Sequence, residues 1–167
     1  MTVRSVGGPR AQSAVSVSAR VLDDLGRTSD AKVKKLDKDG DGKITEAELK
    51  PFMKKLEAAT QRMNSGDDSA DPTSDQAIAK SRALMKDSER YDLAIAQALN
   101  EIPGAETAES VSVKDLQKGV RKVWNMHVSS LEKLQSGSGG GLMDGLGAMF
   151  AMTLLPDAAF NALKNQR

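Results

Sequence analysis

Asp37-Lys38-Asp39-Gly40-Asp41-Gly42-Lys43-Ile44-Thr45-Glu46-Ala47-Glu48 places carboxylates at the first, third, fifth and twelfth of twelve positions, glycine at the sixth and an apolar residue at the eighth. Alternating carboxylates on a tightly wound loop bring several hard oxygen donors to one point, as a hard divalent cation requires. Gly42 stands where the chain must turn sharply, through a backbone conformation that costs any residue with a Cβ atom. A solvated Asp-Gly turn would explain the glycines and one aspartate, but not the regular spacing through to Glu48.

Helical patterns flank the loop. Upstream, Thr28 or Ser29 is positioned to cap a run containing Val33 and Leu36; downstream, Leu49, Phe52, Met53 and Leu56 share one helical face. With its flanks, from about Ser29 to Met63, this segment resembles the EF-hand superfamily of calcium-binding proteins. The resemblance implies one calcium ion held by the carboxylates of Asp37, Asp39, Asp41 and Glu48. Lys43 would add its main-chain carbonyl, and Thr45 its hydroxyl or an ordered water. Ile44 would pack inward from a short strand. Thr45 and Glu48 also have the spacing of a capping box for the outgoing helix, a role Glu48 could not combine with metal ligation. Pro51 departs from the pattern and is expected to kink or restart that helix.

Hands of this kind usually pair, and Ile44–Leu49 (ITEAEL) has an echo in Val111–Leu116 (VSVKDL). Aligning the two sets a second loop at Gly104 to Asp115, with Val111 opposite Ile44 across a short antiparallel strand pair. Its ligand positions carry Gly104, Glu106, Ala108 and the shorter Asp115, and Glu109 replaces the turn glycine. This degenerate hand is expected to be structural and to bind no calcium.

The expected fold class is therefore all-α: an EF-hand pair with additional N- and C-terminal helical segments. Residues 1–12 read as a disordered N-terminus and 13–135 as the paired domain, with the first hand at about 29–63, a linker at 64–74 and the degenerate hand at about 75–135. Residues 136–147 read as a Gly/Ser-rich linker and 148–167 as an apolar helix or tail. Within this frame a short helix from Ser13 should stop at Gly26, and one long helix should run from Ser74 or Asp75 to about Asn100. The clearest amphipathic pattern joins Leu116, Val120, Val123, Trp124, His127, Leu131 and Leu134.

Composition agrees with a small helical protein. The 167 residues are 39% hydrophobic but only 3% aromatic, so the core should rest on Leu, Val, Ile and the eight Met. Twenty-four basic and 23 acidic residues leave a net charge of +1, which removes the electrostatic motive for general nucleic-acid or anionic-membrane binding. The absence of cysteine excludes disulfides, thiolate zinc sites and thiol nucleophiles. No serine–histidine–acid set or phosphate-cradling loop suggests an enzyme. His127 reads as a packing residue, and Lys32, Lys34, Lys35, Lys54 and Lys55 read as solvated helix faces.

The functional expectation is a calcium sensor or buffer that binds a protein or peptide partner. In such a sensor the ion would draw Glu48 inward and re-angle the outgoing helix, exposing an apolar groove. Met53, Met63, Met85 and Met126 are candidates to line that groove. Met149, Phe150, Met152, Leu154, Leu155 and Phe160 of the chain's own tail are candidates to fill it. No secretory h-region or membrane-length apolar segment is seen, so the expectation is a soluble, cytoplasmic chain. The alternative is a bacterial interaction protein or effector, exported without a cleaved signal peptide, that uses calcium for structural stability.

Overall fold

The computed structural model describes residues 16–64, 75–105, 108–137 and 142–165, and is all-α apart from one two-stranded ribbon. The element order is α1 (Val17–Lys34), β1 (Lys43–Thr45), α2 (Glu46–Asn64), α3 (Asp75–Ala83), α4 (Asp87–Glu101), β2 (Ser110–Ser112), α5 (Val113–Gln135), α6 (Leu142–Leu154) and α7 (Asp157–Lys164). The segment expected to be disordered, 1–12, and nearly all of the linker 64–74 lie outside the described residues.

α5 is the axis of the packing, and α1, α4 and α6 lie against it. Its inward face carries Leu116, Val120, Val123, Trp124, His127, Val128 and Leu131, every one buried. That set is the spacing-three-and-four pattern of the sequence with Val128 added and without the exposed Leu134. Leu25 and Val33 of α1, Ile44 of β1, Ile95 of α4, and Leu155 and Leu163 from the C-terminal region complete one continuous core. Branched aliphatics carry this core more than the methionines do: Met85 is buried, whereas Met53 and Met126 are exposed.

Trp124 is the largest fully buried side chain. Its indole Nε1–H donates to Ser29 Oγ of α1 at 2.8 Å, and its ring meets Tyr91 of α4 edge-on with centroids 5.5 Å apart. One residue thus joins three helices.

Several boundaries differ from the sequence reading. Gly26 does not stop the first helix; α1 runs unbroken from Val17, capped by Ser16, whose Oγ accepts from Ala19 N at 3.2 Å. The glycine instead admits a neighbour, because a Cβ built there would lie 2.8 Å from Arg121 Nη1 of α5. Arg121 in turn binds Asp30 Oδ2 at 2.5 Å, pinning α5 to α1. Pro51 lies within α2, which remains one element from Glu46 to Asn64.

The long helix expected from about 75 to 100 is two helices, broken at residues 84–86. Glu89 accepts from Lys86 N at 3.0 Å and so starts α4. Arg90, only 2% exposed, donates through Nη2 to the carbonyls of Arg82 (2.7 Å) and Met85 (3.2 Å) at the end of α3. The Arg82 carbonyl also accepts from Met85 N at 3.4 Å, and the buried guanidinium gives both carbonyls a charged donor where the helical ladder stops. The break is built by side chains that a hydrophobic period does not reveal.

The linker expected over 136–147 is helical from Leu142 onward. Gly147 serves packing there: its missing Cβ would lie 3.4 Å from Ser130 Oγ of α5. The tail after 148 is likewise not one helix. Pro156 disfavours helical geometry at Leu155, so α6 ends and α7 begins at that point. Asp157, the first residue of α7, binds Arg90 Nη1 at 2.8 Å and also pairs with Arg82, whose guanidinium stacks 4.3 Å above the Phe160 ring. These two arginines hold the Asp157 carboxyl below the usual carboxylate range.

The lysines are not all solvated. Lys32 of α1 and Lys55 of α2 converge on Asp92 of α4, at 2.6 and 3.1 Å, and Lys32 also donates to the Ser88 carbonyl at 2.9 Å. Asp92 is buried, so two cations from two helices compensate one desolvated carboxylate.

Candidate functional site: an acidic loop between α1 and α2

The loop from Asp37 to Glu48 begins where α1 ends and closes on the first turn of α2. Two glycines set its path: Gly40 has φ +76° and Gly42 φ +85°, both in the left-handed region. Gly42 was legible from the sequence. The equivalent demand at Gly40 was not, because position four carries no special requirement in the spacing pattern.

The carboxylates are held by the loop's own amides. Asp37 accepts from Gly40 N (2.8 Å) and Gly42 N (3.0 Å), Asp39 from Asp41 N (3.2 Å), and Asp41 from Lys43 N (2.7 Å). Glu48 reaches back to both ends of the loop. Its Oε1 accepts from Lys38 N at 2.7 Å, and its Oε2 accepts from the Thr45 backbone N and the Thr45 hydroxyl, each at 2.9 Å. These bonds, the Thr45 amide foremost, hold the Glu48 pKa below that of an ordinary glutamate.

The capping box is present. Thr45 Oγ1 also accepts from Glu48 N at 3.4 Å, closing the reciprocal pair at the start of α2.

Three of the six anticipated site residues come together. One carboxylate oxygen each from Asp37, Asp39 and Glu48 lies within 4.8 Å of the others. Asp41 is not in that group; its carboxylate is turned to the Lys43 amide. Lys43 stands in β1, opposite Ser112, with its side chain exposed. The Thr45 hydroxyl is committed to Glu48.

β1 and β2 pair antiparallel with Ile44 opposite Val111, the opposition expected from the echo between the two segments. Both residues are buried, Ile44 completely. Val113 N donates to Gly42 O at 3.0 Å, so the tightest turn of the acidic loop is bonded directly to the first residue of α5. In the second loop Gly104 takes φ +77° and Ser112 caps α5, its Oγ accepting from Asp115 N at 3.5 Å. Glu106 lies outside the described residues. Among the described residues the only cluster of potential metal-ligating side chains is that of Asp37, Asp39 and Glu48.

His127 is buried on α5, with Nε2 3.2 Å from Gln97 Oε1, and burial lowers its pKa, so the ring is neutral at neutral pH. No helix of the described residues is long and apolar enough to cross a membrane. No family model, curated protein or solved structure matches the chain.

Proposed function

We propose that this chain binds one calcium ion in the loop Asp37–Glu48, that this loop and the one at Gly104–Asp115 form an EF-hand pair, and that the second loop is structural. The observation that carries the reading is the separation of the three carboxylate oxygens. Two oxygens bound to one calcium ion at about 2.3–2.6 Å can stand no more than roughly 5 Å apart. Asp37, Asp39 and Glu48 already meet that limit, at 4.8 Å or less. The donors are all oxygen, as a hard cation prefers, and cysteine is absent.

Under this reading Asp37, Asp39 and Glu48 take the ion first. Asp41 joins by turning from the Lys43 amide, the Lys43 carbonyl adds a further oxygen, and Thr45 contributes through its hydroxyl or a water. A bound calcium ion supplies two positive charges to a loop of crowded carboxylates. Glu48 gives up its part in the capping box when it becomes a ligand, so ion binding and the metal-free cap compete for the same side chain.

Because Glu48 already stands in the cluster, ligation asks for rotation of a carboxylate more than for re-angling of α2. This supports a buffering or stabilising ion over a groove-opening sensor. Exposed Met53, Met126 and Phe150 offer apolar surface to a protein partner in either case.

Thermal unfolding tests the proposal. With free calcium at about a hundred times the dissociation constant, the folded state should gain about 2.7 kcal/mol over the chelated protein. Glu48→Gln should lose that gain while melting normally in chelator. Identical melting of the native chain with and without calcium would contradict the reading.

A further inference from the structure

A second feature lies away from the acidic loop. α2, α3, α4, α5 and α6 line a half-open cavity of about 800 Å³, with Met126 and Phe150 at its exposed rim. Its walls are chiefly Leu56, Leu93, Met126, Met149, Phe150 and Leu154, one from each of α2, α4 and α5 and three from α6, which forms one side. The volume lies in the range, roughly 300–1,000 Å³, of pockets that bury most of a small ligand's surface, and it is larger than one inserted side chain would need.

The polar groups in the lining are few. Gln97 and His127 form one hydrogen-bonded pair, and Ser130 has its hydroxyl proton turned to the Met126 carbonyl at 2.9 Å. Thr60, Ser81, Asn100 and Thr153 add neutral hydroxyl and amide groups. Among the described residues, no Asp, Glu, Lys or Arg lines the space. An ionised ligand entering it would lose hydration without meeting a countercharge, a penalty that an uncharged one avoids.

We propose that this cavity is a binding site for an uncharged, predominantly apolar small molecule, oriented by hydrogen bonding to the Gln97–His127 pair. The site uses none of the loop carboxylates, so the proposal stands whether or not calcium binds at Asp37–Glu48.

The neutral solvatochromic dye Nile red and the anionic dye 8-anilinonaphthalene-1-sulfonate test it on the full chain. Nile red should bind saturably at one site per chain with blue-shifted emission, and the anionic dye about tenfold or more weaker. Ala96→Phe from α4 and Ser81→Phe from α3 fill the cavity from two sides. Each variant that retains the native helical circular dichroism should weaken Nile red about tenfold or more. Should neither retain it, Gln97→Leu, which keeps the volume and removes the oriented amide, should still weaken the dye. Non-saturable Nile red binding, equal affinity for the two dyes, or binding indifferent to folded filling variants would overturn the proposal.

Discussion

Trp124→Ala is expected to cost about 3–5 kcal/mol of stability, the range for removing a large aromatic from a packed core. The site cannot collapse easily. Trp124 is fully buried where α1, α4 and α5 meet, and its neighbours Val120, Val123 and Val128 are themselves branched and fixed on the same helix. The substitution also leaves the Ser29 hydroxyl without its indole donor inside the core, adding about 1 kcal/mol. Trp124→Phe separates the two contributions: it keeps most of the volume and loses the hydrogen bond. Urea unfolding of the three proteins checks this, with Trp124→Phe falling between the other two. A Trp124→Ala chain within about 1 kcal/mol of native would show that α5 is not the axis of the packing.

Arg90→Met should cost about 3 kcal/mol. Breaking a fully buried ion pair costs about 3–5 kcal/mol, but here the partners Asp87 and Asp157 are about half exposed, so water takes over their solvation. What decides the cost is the pair of carbonyls at Arg82 and Met85, which lose a charged donor at the end of α3. The same change frees one of the two arginine contacts to Asp157 at the start of α7. Unfolding measurements should therefore show the loss, and limited proteolysis should show faster cleavage near Leu155–Asp157. A variant as stable as the native chain would mean that Arg90 is not what ends α3.

These two residues also mark what was and was not legible in the sequence. Trp124 belongs to a period-3.6 pattern that burial enforces, so its place on the inner face of α5 followed directly. Ile44 opposite Val111 was legible for a related reason: two short segments with the same pattern, each ahead of a helix, pair in the register that buries both apolar residues. Arg90 was illegible, because a charged residue inside a helical run normally faces water. Only the meeting of α3, α4 and α7 makes it a buried capping group. Gly26 misled in the opposite way: glycine usually ends helices, but here it makes room for the Arg121 guanidinium of α5, far along the chain.

In the acidic loop the local spacing foretold the meeting of Asp37, Asp39 and Glu48. It did not foretell that the Asp41 carboxylate turns to the Lys43 amide or that the Thr45 hydroxyl is committed to Glu48. The reciprocal bonds of Thr45 and Glu48 give that local logic a second use, because the residues suited to close on an ion also hold the start of α2.

Calorimetric titration of the intact protein with calcium addresses the central claim most directly. One site per chain is the expected result, abolished by Asp37→Ala and by Glu48→Gln and unaffected by Asp115→Asn in the second loop. No heat of binding, a titration that survives both first-loop substitutions, or a second site of similar strength would contradict it.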